Sequence, residues 1–203
     1  MDSAANDKLS VAWIEVNLNN LFTAVHSRLN AAVLLKLEEL APAGKLPSRD
    51  RFCAEMLAAE LNLFGFVCNR VNPALTPIVA AMLKGTYFES LREQEKASVK
   101  DAFAACGVIA KEHASNPAPG HRMVALAVAT RVNILHLSQK VSFLTEYFQK
   151  MEAKWEEDYR MAVLDEYDKT NPEQSKRAGD AKEGIRRYLL DRALREIVPK
   201  KPK

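Results

Sequence analysis

A chain of 203 residues with 48% hydrophobic and 27% charged side chains is long and apolar enough to bury a sizeable core, which excludes an intrinsically disordered protein. Only seven glycines are present, and alternating Val, Ile, Thr and aromatic runs with hairpin dipeptides are missing, so an all-α fold is expected. The formal net charge of +3 names no partner by itself, but residues 176–203 hold ten Lys or Arg against four Asp or Glu, a surplus of +6 that leaves −3 for residues 1–175.

The first eight residues carry neither a basic segment nor an apolar run, so no secretory signal is expected. No window approaches the roughly 18 apolar residues of a membrane span. The expectation is a soluble, cytoplasmic protein without a membrane span. Residues 9–41 contain no proline or glycine and run into Ala41-Pro42-Ala43-Gly44, a helix stop. Val11, Ile14, Leu18, Leu21, Val25 and Leu29 recur at spacings of three and four, which predicts one long amphipathic helix. A second stripe, Asn19, Thr23, His26 and Asn30, shares one face of it. Such a stripe serves either as a polar contact face for a partner helix or nucleic-acid backbone, or as a hydrogen-bonded seam between helices.

Ser48 is a candidate N-cap for a helix over 49–64, and the segment 69–73 ends that pattern. The run Gly44-Lys45-Leu46-Pro47-Ser48-Arg49 resembles the opening of a winged helix-turn-helix regulator of the GntR type, but the turn glycine, recognition-helix start and wing strands that should follow are missing. A short apolar helix is expected over 75–83, closed by Gly85, then a short one over 86–95 and a longer one over 97–114. Gly107 inside the last of these predicts a close helix crossing, since glycine in a helix costs about 1 kcal/mol relative to alanine.

Two prolines and a glycine in residues 115–120 make the clearest loop of the chain, read as a hinge between antiparallel helices. Beyond it, residues 121–171 contain neither proline nor glycine and read as a helical spine, apolar over 123–148 and charged over 150–169. A straight helix of that length would span about 75 Å, more than a compact domain of this size. Either it breaks, near 138–142, or its charged end projects and offers Trp155 and Tyr159 to a partner. A last helix is expected over 180–198. The fold class predicted is thus an irregular bundle of six to eight helices, with one long central helix and a basic C-terminal helix; residues 1–175 form the bundle, and 176–203 a helix and tail packed on the same domain.

Cys53, Cys68 and Cys106 cannot all pair within one chain, form no metal-ligand spacing, and sit among apolar residues, so each is expected to pack as a small hydrophobe. The four histidines stand in no HExxH or ExxH pattern, and phosphate-cradling loops and nucleophile elbows are missing, so no catalytic residue, metal site or cofactor is predicted. His113 and His121, beside the Pro-rich loop, are expected to be exposed. His136, in an apolar stretch with Arg131, Asn133 and Gln139 nearby, is a candidate for a buried polar network or a small-molecule pocket. The strongest remaining feature is basic: Lys182, Arg186, Arg187, Arg192 and Arg195 on the last helix could neutralise several phosphates. The function expected is that of a non-enzymatic accessory subunit of a larger assembly. Its contact residues would be Asn19, His26, Asn30, Trp155 and Tyr159 for protein partners and the basic helix for nucleic acid. The alternatives are a protein-binding module without nucleic acid, of the inhibitor or immunity type, and a small-molecule-binding protein with its pocket at His136.

Overall fold

The computed structural model describes residues 3–40, 46–113 and 119–164, and every secondary-structure element among them is helical. The order is α1 (Ser3–Leu21), α2 (Ala24–Leu40), α3 (Arg49–Val71), α4 (Leu75–Met82), a π-helical turn (Leu83–Tyr87), α5 (Phe88–Ser90), α6 (Glu93–His113), α7 (Gly120–Arg131) and α8 (Ser138–Val163). The fold is the all-α bundle that the composition predicts. The basic helix expected over 180–198, with Lys182, Arg186, Arg187, Arg192 and Arg195, lies outside the described residues. The chain divides into two compact units, residues 1–17 with 156–203, and residues 18–155.

The long central helix is α3. Eleven of its 23 residues are buried, from Phe52 to Cys68, and they face several directions around the axis, as expected of a helix in the middle of a bundle. It packs on α2, α4, α6 and α7. It runs past the end expected at residue 64 because Gly65 is accommodated within the helix and the backbone N–H of Asn72 still bonds Cys68 O at 2.9 Å; Pro73 then forbids another turn. A close approach to α6 falls at Gly107, where a Cβ would stand 3.2 Å from Asn62 Oδ1. Asn62 also donates to Phe103 O at 3.1 Å, which ties α3 to the α6 backbone. The crossing predicted from Gly107 is therefore between α6 and α3.

By length and composition α3 would also qualify as a membrane-spanning helix, against the expectation that no window comes close. A buried core helix meets the same criterion, and most of the apolar window is buried inside the protein. Two carboxylates, Glu55 and Glu60, interrupt it.

Two predicted helices are each divided in two. The helix expected over 9–41 breaks at Phe22 and Thr23, where Phe22 N–H and Thr23 N–H bond the carbonyls of Asn19 and Asn20, both at 3.2 Å. Thr23 then caps α2: its hydroxyl donates to Asn20 O at 2.9 Å and accepts the His26 N–H at 3.4 Å. Phe22 turns its ring onto Tyr87, 5.2 Å away and nearly parallel. The 121–171 spine breaks at residues 132–137, just ahead of the expected point. Asn133 takes a left-handed φ of 58°, with Ile134 N–H on Ala129 O at 2.8 Å and Asn133 N–H on Thr130 O at 3.2 Å. That is the double bond of a Schellman cap, with Asn133 in the position usually held by glycine.

The segment from 83 to 113 also differs from expectation. Gly85 sits inside the π-helical turn and does not stop the helix; the stop comes at Leu91 and Arg92, after which α6 begins. A π-turn accommodates one extra residue per turn without ending the helix.

Candidate functional site

Among the described residues of 18–155, three carboxylates are buried, Glu55 and Glu60 on α3 and Glu152 on α8, and each gathers partners from other helices. A buried charge without a partner costs several kcal/mol, so these clusters fix where the helices meet.

Glu55 takes the Arg131 guanidinium through Nε, 3.1 and 3.0 Å from its two oxygens, and through an NH2 group at 2.9 Å. The same guanidinium reaches Asp101 on α6 at 2.9 Å. Arg131 lies in the last turn of α7, where a cation also complements the helix dipole. Its pKa is raised, first by the hydrogen bonds to Glu55.

Glu152 receives Arg70, in the last turn of α3, at 2.8 Å. It also receives two donors from His121, the ring Nδ1 and the backbone N–H, the latter at 3.3 Å. A side chain of α8 thereby caps the first turn of α7. Gly120 makes this approach feasible, since a Cβ there would stand 3.0 Å from Glu152 Oε1 and 3.2 Å from Leu63 Cδ1. His121 is consequently a half-buried tie between helices, not the exposed side chain expected beside a loop.

Glu60 is fully buried. His26 Nε2 lies 2.6 Å from its Oε2, Asn30 Nδ2 donates to the same oxygen at 3.2 Å, and Tyr147 OH donates to Oε1 at 3.0 Å. His26 and Asn30 are four residues apart on α2 and so reach one point on α3. Burial by itself would push the His26 imidazolium down, but the charge and the hydrogen bond of Glu60 outweigh it, and the ring titrates above its ordinary value.

The predicted contact residues therefore separate. Asn19 is exposed, whereas His26 and Asn30 turn inward and form the inter-helix seam. Trp155 and Tyr159 do not project. Within residues 18–155, Trp155 is buried with its ring edge-on to Phe64 at 5.1 Å. In the other unit, Tyr159 is buried against Trp13, also edge-on at 5.1 Å, with its hydroxyl 3.2 Å from Ser10 Oγ. The three-four stripe that carries both rings is a core stripe. His136 is likewise exposed, in the turn between α7 and α8, while Arg131 is committed to Glu55 and Asn133 forms the helix cap. Among the described residues no buried network forms around it.

The pair His26–Glu60 has the form of a base held by a carboxylate, but none of the three thiols bonds to it. Cys53 donates weakly to Ser27 O at 3.9 Å, and burial, ahead of the charges around it, raises its pKa. Burial likewise pushes the thiols of Cys68 and Cys106 up to about 12, so all three remain protonated, and all three are unpaired. Among the described residues no cluster of three or more metal-ligating side chains forms.

What sequence reasoning missed is the outer face of α2. Val25, Leu29 and Leu35 are 67%, 45% and 61% exposed, and Ala32 between them is exposed as well. On the opposite side His26, Asn30, Val33, Leu34 and Leu37 turn into the protein. The signal was present in the run Ala31-Ala32-Val33-Leu34-Leu35, which is apolar on more of the helix circumference than one buried stripe needs.

Comparison of the chain with protein-family models, with curated proteins and with solved structures gives no significant match. Function has to be argued from these surfaces.

Proposed function

We propose that the chain is a non-enzymatic interaction subunit that docks an amphipathic helix of a partner protein on the outer face of α2. The observation that carries this reading is the exposure of three large aliphatic side chains, Val25, Leu29 and Leu35, on one face of a helix whose other face is pinned. Aliphatic anchors at helical spacing are how helix-on-helix recognition is built, and a contiguous exposed apolar patch marks such sites. Arg28, Lys36 and Glu39 border the stripe, with Lys36 and Glu39 paired at 2.8 Å, and would supply the polar rim. A photocrosslinking residue placed at Leu29 or Leu35 in the source cells should give one discrete adduct, lost when Val25 is also changed to Glu. The same residue placed at Ser98, exposed on α6, should give none. Absence of any adduct from the α2 positions removes the reading.

A second reading is favoured by the charge surplus of +6 in residues 176–203: contact with the phosphate backbone of nucleic acid, in support of assembly. Counterion release makes such binding steeply salt-dependent and insensitive to sequence. Changing Arg186, Arg187, Arg192 and Arg195 to Ala should weaken binding of a fluorescent oligonucleotide and flatten the dependence of log K on log salt by up to about four units of slope. Failure of the unmodified protein to bind at low salt would discard this second reading and leave the first in place.

A further inference from the structure

Glu55 and Glu152 are each neutralised by an arginine, whose charge does not change at any pH a protein meets. Glu60 is different. Among the described residues no lysine or arginine forms an ion pair with it, its one cationic partner is His26, and Asn30 and Tyr147 are neutral donors. A fully buried carboxylate has therefore been given a counter-ion that can lose its proton near neutrality.

We propose that the His26–Glu60 pair is a pH-sensitive latch, which holds the first two turns of α2 on α3 while His26 is protonated and loosens them when the proton leaves. The groups that meet there come from three helices. His26 and Asn30 reach in from α2, Glu60 stands on α3, and Tyr147 comes from α8. The Tyr147 phenol is pushed up by burial and then by the Glu60 charge, so it stays a neutral donor throughout. On α3, Cys53 also stays protonated, and the charges beside it are Arg49 and Asp50. None of these, nor Lys140 buried on α8 seven residues before Tyr147, forms an ion pair with Glu60 that could replace the one His26 gives up.

The sign follows from the raised pKa of His26 in the folded protein. Its contribution to stability is fully present below the ordinary histidine value and is lost as pH rises through the higher, folded value. Loss is confined to part of the helix. Beyond Asn30, α2 is held by buried Val33, Leu34 and Leu37, which do not titrate. Before it lie the long Thr23 cap bond, the weak bond from the Cys53 thiol to Ser27 O at 3.9 Å, and the latch itself. The segment that loosens carries Val25 and Leu29, so the latch would regulate the docking face; that consequence rests on the docking reading, while the latch is measured on the isolated chain.

The test is amide hydrogen exchange of the full chain at about pH 6 and about pH 9, corrected for the intrinsic rate, together with the NMR titration of the His26 ring. Protection at residues 27–30, whose amides are the first in α2 to bond within the helix, should fall by about tenfold or more at the higher pH while residues 33–37 keep theirs, and the ring should titrate above the ordinary value. In the variant His26→Gln, a neutral donor with no charge to lose, the difference between the two pH values should vanish. Equal protection of 27–30 at both pH values overturns the latch, as does a ring titrating at or below the ordinary value, and both readings use the unmodified protein. Crosslinking from Leu29 that fails while the latch titrates as stated removes the docking reading alone.

Discussion

Arg131→Met should lower the free energy of unfolding by about 3–5 kcal/mol, the cost of leaving a buried carboxylate without its counter-ion. Glu55 is only 4% exposed, and Arg131 supplies both its bidentate hydrogen bond and its charge, so removal of the guanidinium leaves a desolvated anion that water reaches poorly. The link to Asp101 adds little, because that carboxylate is 74% exposed and water solvates it without help. Chemical denaturation of the single variant and of Arg131→Met combined with Glu55→Met separates the two contributions. The double variant should recover most of the loss, because two apolar side chains of similar volume can replace a buried ion pair with little change. A single variant within about 1 kcal/mol of the parent would show that Glu55 has another source of compensation.

Trp155→Ala should be comparably severe, about 3–5 kcal/mol. The indole is 6% exposed and meets Phe64, which is fully buried, edge to face with ring planes at 71°. Truncation removes the buried area and the aromatic pair and leaves a cavity against the central helix. The aromatic region of the circular dichroism spectrum should change together with the denaturation midpoint. Had the charged half of the 121–171 segment projected into solvent, the same change would alter stability by no more than about 0.5 kcal/mol. The experiment thus decides between a core and a surface role for this residue.

The central helix is α3, and the proline-free and glycine-free 121–171 segment does not form one continuous helix. Absence of proline and glycine marks where a helix is able to continue, and Asn133 ends one without either, because its short polar side chain tolerates the left-handed conformation. Phe22 and Thr23 end another for a similar reason: Thr23 competes for backbone groups as a cap, and Phe22 turns its ring onto Tyr87 and Phe88. In both places an apolar residue, Ile134 or Phe22, sits beside a polar one able to cap. That pairing is a faint signal in a sequence and a decisive one once the chain is packed.

The candidate site was legible only in part. His26 and Asn30 stood out as members of a polar stripe beside the apolar one, and the seam was one of the two roles open to them. Their common partner Glu60 gave no sign, since a glutamate inside an apolar helix can be a solvated position as readily as a buried anion, and Tyr147 lies 87 residues further along. Trp155 and Tyr159 misled because the charged residues between them suggested a solvated helix. Charges at 156, 157 and 160 are compatible with one buried face as long as the period of the apolar residues is kept.

By itself the sequence determined the all-helical class, the Gly107 crossing and the concentration of positive charge after residue 175, because each follows from local propensity or from composition. Only the tertiary structure decided which helix is central, where the long segments break, and that Glu60 is paired with a histidine while Glu55 and Glu152 are paired with arginines. Those outcomes depend on groups 30 to 87 residues apart meeting in a space from which water is excluded, and the cost of a buried charge, negligible in an exposed helix, then selects the arrangement.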